Sequence, residues 1–124
     1  MKTREVPRTE WTVFFDSFSR QNEGSRITLE VFGLDIGDQI EERELALEGM
    51  TAELAEAGDK IGIMMGAKPD DHLTHTITAP NQVSLEQTDE GAAVVLAIKA
   101  ADGTMTLLRF RSAILTEMVD AVAN

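Results

Sequence analysis

Thr9 to Gln21, TEWTVFFDSFSRQ, is the stretch whose reading decides the fold. It holds Trp11, Phe14, Phe15 and Phe18, most of the aromatic side chains in a chain with five Phe, one Trp and no Tyr. Spacings of three, four and seven put all four on one stripe of an α-helix, with Glu10, Asp16, Ser17 and Arg20 turned away. Thr9 stands where an N-cap would, Glu10 falls in a first turn that favours an anion, and Asn22 to Gly24 suits the left-handed helix end. Such an apolar stripe must be covered by something.

The cover is supplied by residues 25 to 111, which alternate. Ile27, Leu29 and Val31 oppose Arg26, Thr28 and Glu30, while Ile61, Ile63 and Met65 share one parity. Leu73, His75 and Ile77 oppose Thr74, Thr76 and Thr78; Val83 and Leu85 oppose Ser84 and Glu86; Leu108 and Phe110 oppose Arg109 and Arg111. A period of two marks half-buried strands. Residues 92 to 98 are apolar on both faces, with Val94, Leu96 and Ile98 on one and Ala93, Val95 and Ala97 on the other, which suits a central or covered strand. Turn signals at 33–37, Gly58-Asp59, Ala79-Pro80-Asn81, Asp89-Glu90-Gly91 and Asp102-Gly103 separate the segments.

Two places break the pattern. Ile40 has even parity, whereas Leu45 and Leu47 are odd, so either a bulge lies near Glu41 to Arg43 or Ile40 belongs to the turn. Residues 50 to 57 fit either one helical turn or an extended connection. At the far end, Ile114, Leu115, Met118, Val119 and Val122 form one apolar stripe over 113–123. Short links favour adjacent antiparallel pairing. The expected fold is α+β in a single domain over 1–124. It comprises an N-terminal arm at 1–8, an aromatic helix at 9–21, an antiparallel meander of about seven strands over 25–111 and a short C-terminal helix at 113–123. The spacing leaves open whether the sheet closes as a barrel.

Composition narrows the function classes. A chain of 124 residues without cysteine builds a core without disulfides, zinc ribbons or thiolate chemistry, and MKTREVPR does not read as a secretory signal, so the cytoplasm is the expected compartment. No window approaches a membrane span, and a net charge of −11 repels phosphate backbones and anionic lipid alike. Neither nucleic acid nor membrane is an expected partner, and no cofactor is implied.

TLEVFGLDIG (28–37), PDDHLTHTI (69–77), LEQTDEG (85–91) and LLRFRSAIL (107–115) together resemble a family of small bacterial proteins known as a domain of unknown function. The resemblance runs from the REVPR arm to the last helix. It implies one complete domain and brings no activity, substrate, cofactor or site residue with it.

Candidate chemistry is sparse. Asp70, Asp71, His72 and His75 combine carboxylate and imidazole, a common transition-metal ligand set, but a separation of three puts the two histidines on opposite faces of a strand. His72 should face water and His75 the interior, where an imidazole needs hydrogen-bond partners or serves as a general base in a cleft. Arg109 and Arg111 share a face and could clamp a carboxylate or phosphate, or else pair with strand carboxylates such as Glu30, Glu42, Glu44 or Glu86. No nucleophile motif, phosphate loop or dry carboxylate dyad is visible. The sequence therefore points to a non-enzymatic, acidic binding or protein-interaction module that self-associates, with a homodimer as the natural form. The alternative is a small-molecule or anion-binding protein, or small enzyme, whose pocket uses His75 with Arg109 or Arg111.

Overall fold

The alternating segments pair as expected into one antiparallel sheet, but their order in space is not the order in sequence. The computed structural model describes residues 1–33, 37–66 and 72–111, and the backbone alone for 37–44. Its elements are β1 (Lys2–Val6), α1 (Trp11–Asn22), β2 (Arg26–Gly33), β3 (Gly37–Glu53), β4 (Lys60–Gly66), β5 (His72–Thr78), β6 (Pro80–Gln87), β7 (Ala93–Ala100) and β8 (Met105–Phe110). The eight strands lie in the order β1-β6-β7-β8-β2-β3-β4-β5. Two meanders, β2 to β5 and β6 to β8, are joined where β8 docks on β2, with Leu108 opposite Leu29. The fold is α+β.

The arm expected at the N-terminus is a strand. Lys2 to Val6 pairs with β6, Arg4 facing Leu85 and Val6 facing Val83. Only Val6 of the five is buried, so the segment carries too little apolar signal to announce itself, and the ladder to β6 defines it instead.

A single residue, Ala79, separates β5 from β6, although these strands stand eighth and second in the sheet. In a flat sheet, six inter-strand steps would separate them by about 29 Å. Two Cα steps span only about 7 Å. The sheet must therefore curl until its two ends meet at this corner. Ala79 turns there with φ 55°, its N–H donating to the Asp59 carbonyl (3.0 Å) and its carbonyl accepting from the Ala101 N–H (2.8 Å). No ladder joins β5 to β1 among the described residues, so the curled sheet stays open. Arg8 and Asp59 tie the two ends together, Nε to Oδ2 at 2.6 Å and Nη2 to Oδ1 at 2.9 Å.

The concave face holds the core. Ile27, Leu29, Ile61, Ile63, Met65, Val83, Leu96, Ile98 and Leu108 are buried in the phases that alternation assigns. Trp11, Phe15 and Phe18 of α1 pack against them, Phe18 meeting Phe110 edge-on at 5.5 Å, and the Trp11 indole N–H donates to the Val6 carbonyl at 2.8 Å. Thr9 does not cap the helix. A 3-10 turn at Arg8–Glu10 precedes it, with the Glu10 N–H bonded to the Pro7 carbonyl, and α1 begins at Trp11 with no side-chain cap. Pro7, with its fixed φ, starts the turn two residues before the serine/threonine rule would.

Bulges account for the broken phases. Ile27 faces Leu45, Leu29 faces Glu42 and Glu30 faces Ile40, so β3 takes in extra residues between 40 and 45 while Ile40 remains within the strand. A further shift at Glu48 carries the inward phase from Leu47 to Met50, and residues 50–53 are extended rather than helical. In β7 the register slips at Val94, so Ala93 rather than Val94 is the buried residue. Residues 112–124, which include the expected C-terminal helix, lie outside the described residues.

Two outcomes are expected. Phe15→Ala should lower the unfolding free energy by about 3–5 kcal/mol, whereas Val13→Ala, at a position 74% exposed, should change it by less than about 0.5 kcal/mol; urea midpoints separate the two. The hydrogen bonds from Arg8, seconded by the Ala55 amide, hold the Asp59 carboxyl below the usual carboxylate range. A depressed folded value stabilises above the unfolded value and is lost as pH falls through the folded one. Asp59→Asn should therefore lower the midpoint at neutral pH and flatten its decline below about pH 4.

Candidate binding site

Parity places Arg4 on the inward face, with Val6, but at the rim of the sheet where the interior opens. There it meets α1. Phe14 is the stripe's fourth aromatic and the one left half-buried, edge-on to Phe15 at 5.1 Å and stacked on Phe18 at 5.2 Å. The Arg4 guanidinium carbon lies 5.4 Å from the Phe14 ring centroid, a cation–π arrangement. Between α1, β1, β6 and the turn into β7 runs an open groove of about 720 Å³, floored by Phe14, Phe18, Leu85 and Ala93. Its rim carries Arg4, Glu10, Thr9 and Ser17, and the amides of Gln21, Asn22 and Gln87. Those amides are held in place locally, Gln21 donating to the Ser17 hydroxyl, Asn22 to the Phe18 carbonyl and Gln87 to the Gly91 carbonyl.

The helix is fixed on the sheet from the other side. The Ser19 hydroxyl accepts the Met50 N–H at 2.7 Å and lies 2.6 Å from the Phe15 carbonyl, to which it donates. Gly49 faces Ser19, where a methyl group would fill the space between helix and strand.

Arg4 differs from the other described arginines. Arg8 pairs with Asp59, Arg20 with Asp16 and Arg109 with Glu30, and Arg26 and Arg111 are also engaged. Arg4 is met by an aromatic face instead of an acid. In a chain with 22 acidic against 11 basic residues, that is an informative exception.

The residues singled out in the sequence are dispersed. His72 bonds through Nδ1 to the Glu48 carboxylate (2.9 and 2.8 Å to its two oxygens), reaching over β4 where Gly66 stands opposite. His75 is half-buried opposite Ile63, on the inward face as its parity required, and is engaged in an interaction of its own. Asp70 and Asp71 lie outside the described residues, and among the described ones no three His, Asp or Glu side chains gather as a metal site. Arg109 takes Glu30 as its partner, one of the carboxylates that alternation offered. Arg111 donates its N–H to the Arg26 carbonyl at 3.0 Å. Neither arginine and neither histidine lines the groove.

Sequence reasoning missed Arg4 because it took the first eight residues as an arm. The usable signal was the shared parity of Lys2, Arg4 and Val6. It becomes interpretable only once residue 4 is known to face residue 85.

Glu30 is only 9% exposed, so its partner is structural before it is anything else. Arg109→Ala should cost about 1–2 kcal/mol by leaving that carboxylate uncompensated, and adding Glu30→Gln should restore part of the loss. Thermal denaturation of the single and double variants measures both.

Residues 2–118 match the model of a family described as "Family of unknown function (DUF5335)". An uncharacterized protein of Aquifex aeolicus (strain VF5) is 28% identical over 114 residues, covering 92% of this chain and 96% of the relative. No solved structure matches.

Proposed function

We propose that this chain, which belongs to that family, is a non-enzymatic binding module of the bacterial cytoplasm whose ligand lies in the groove along α1. The observation that carries the reading is Arg4. A guanidinium held over an aromatic ring, in no ion pair with an acid among the described residues, offers its N–H fork to an anion while Phe14, Phe18 and Leu85 accept an apolar body beside it. The ligand class is therefore a carboxylate, sulfonate or phosphate attached to a flat or branched apolar group. Stacking surface, amides and one cation are the equipment of recognition, and the Ser17 hydroxyl is held by Gln21 rather than by a base. The chain contains no cysteine or tyrosine to serve as an alternative nucleophile. No described helix is long and apolar enough to cross a membrane.

The probe 8-anilinonaphthalene-1-sulfonate has this chemistry. Titrated against the folded protein, it should show saturable fluorescence that Arg4→Gln weakens by about tenfold, the loss of a charge-assisted pair, and that Lys99→Gln leaves unchanged. Phe14→Leu should shift the emission while the protein remains folded by near-ultraviolet circular dichroism. Failure of the folded protein to bind, or equal binding by the Arg4 variant, overturns the reading.

A further inference from the structure

The two edges of the sheet are protected unequally. β1, at one end, puts Lys2, Arg4 and Glu5 into five residues, the usual charged guard against edge-to-edge pairing. β5, at the other end, is HLTHTIT over seven residues, with no lysine, arginine, acid or proline and no bulge in its register against β4. It is a straight, largely β-branched edge without acidic, lysine or arginine side chains, on a chain whose net charge is −11. Leu73 points to the inward face there but is 38% exposed, beyond the reach of the core.

Backbone direction can be read along β5. The Ala79 N–H donates to Asp59, and residues 79 and 59 stand in the register of the β4–β5 ladder. Odd residues of β5 therefore turn their N–H and C=O toward β4, and even residues turn theirs to the outer edge, where no strand lies among the described residues. Thr74 and Thr76 present these groups at exposed positions. A second copy can pair there antiparallel about a two-fold axis only if even residues face even residues. The register that overlaps all seven residues meets this condition: Thr74 faces the partner's Thr76, His72 faces the partner's Thr78, and His75 faces its own equivalent.

We infer that this chain forms a symmetric homodimer in which β5 pairs with β5 of a second copy about His75, joining two sheets into one. Thr74 and Thr76 exchange backbone hydrogen bonds across the axis. Leu73 packs on Ile77 of the second copy, on the same face, and so gains the cover its own chain does not give. The two His75 residues form a non-hydrogen-bonded pair, with Cα atoms about 4.5 Å apart. The interface is independent of the groove beside α1 and of what that groove binds.

Because the chain has no cysteine, single-cysteine variants report the register directly. His75→Cys places two thiols at a separation that a disulfide accepts, and mild oxidation of the folded protein should give a covalent dimer. Thr78→Cys, whose equivalent lies six residues along the partner strand at about 20 Å, should remain uncrosslinked. Sedimentation of the unmodified chain from micromolar to near-millimolar concentration should show a monomer–dimer equilibrium. Thr76→Pro, which removes one edge donor from each copy and none from the β4 ladder, should weaken that equilibrium about tenfold or more with the fold retained. A strict monomer at the highest concentration, a dimer untouched by Thr76→Pro, or crosslinking of Thr78→Cys as efficient as that of His75→Cys would each overturn the inference.

Discussion

One residue closes a distance that the sheet would otherwise hold open. With β5 and β6 joined through Ala79 alone, strands near opposite ends of an eight-stranded sheet must share a corner, and the curl that brings them there creates the concave face. Everything apolar follows from that curvature. A flatter sheet would leave Ile61 and Ile63 on one half and Val83 and Leu96 on the other without common neighbours; here all four belong to one core. The corner is held by backbone hydrogen bonds from Ala79 to Asp59 and Ala101, and by the two-pronged Arg8–Asp59 pair beside it. A residue other than glycine at φ 55° is an uncommon conformation, tolerated where surrounding contacts determine it.

Curling a sheet leaves its interior to be filled, and α1 fills it in a fixed register. Trp11, Phe15 and Phe18 enter the core while Ser19, one turn along, takes the Met50 N–H. The extra residue at Glu48 makes this seating possible by turning Leu47 and Met50 inward together. The same bulge aims Glu48 outward to His72 across Gly66. A local irregularity in one strand thus seats the helix on one face and places the His72–Glu48 hydrogen bond on the other.

The sequence showed the strands and their inward faces well, because period-two alternation is imposed by the pleat itself and survives in any one-sided sheet. It showed the helix from four aromatic side chains and placed a phase break near Glu41 to Arg43, where the ladder does shift. What it could not show depends on residues far apart in the chain. The arm becomes a strand only through β6, the two meanders are ordered only through β8 on β2, and the slip at Val94 is a property of the β6–β7 ladder rather than of AVVLAIK. The candidate groove was hidden for the same reason. Arg4 gains meaning from Phe14 and Leu85, neither of which is near it in sequence, whereas Arg109, conspicuous in sequence, is spent on Glu30.

Charge accounting separates the groove from the rest of the surface. With acids twice as numerous as bases, an arginine without an acidic partner gives up a readily available stabilisation, and exposed pairs are worth so little that their absence costs the fold almost nothing. The cation–π contact with Phe14 is of similar size, about 0.5–1 kcal/mol, so stability alone does not select one arrangement over the other. The difference lies in what remains available. An arginine in an ion pair has its fork occupied, while one stacked on a ring keeps its N–H edge open and its orientation fixed. At the rim of an apolar groove that combination is what supports the proposed ligand, an anion with its own apolar surface, since a small hydrated anion would gain nothing from Phe14 and Leu85 and would meet the repulsion of the whole chain.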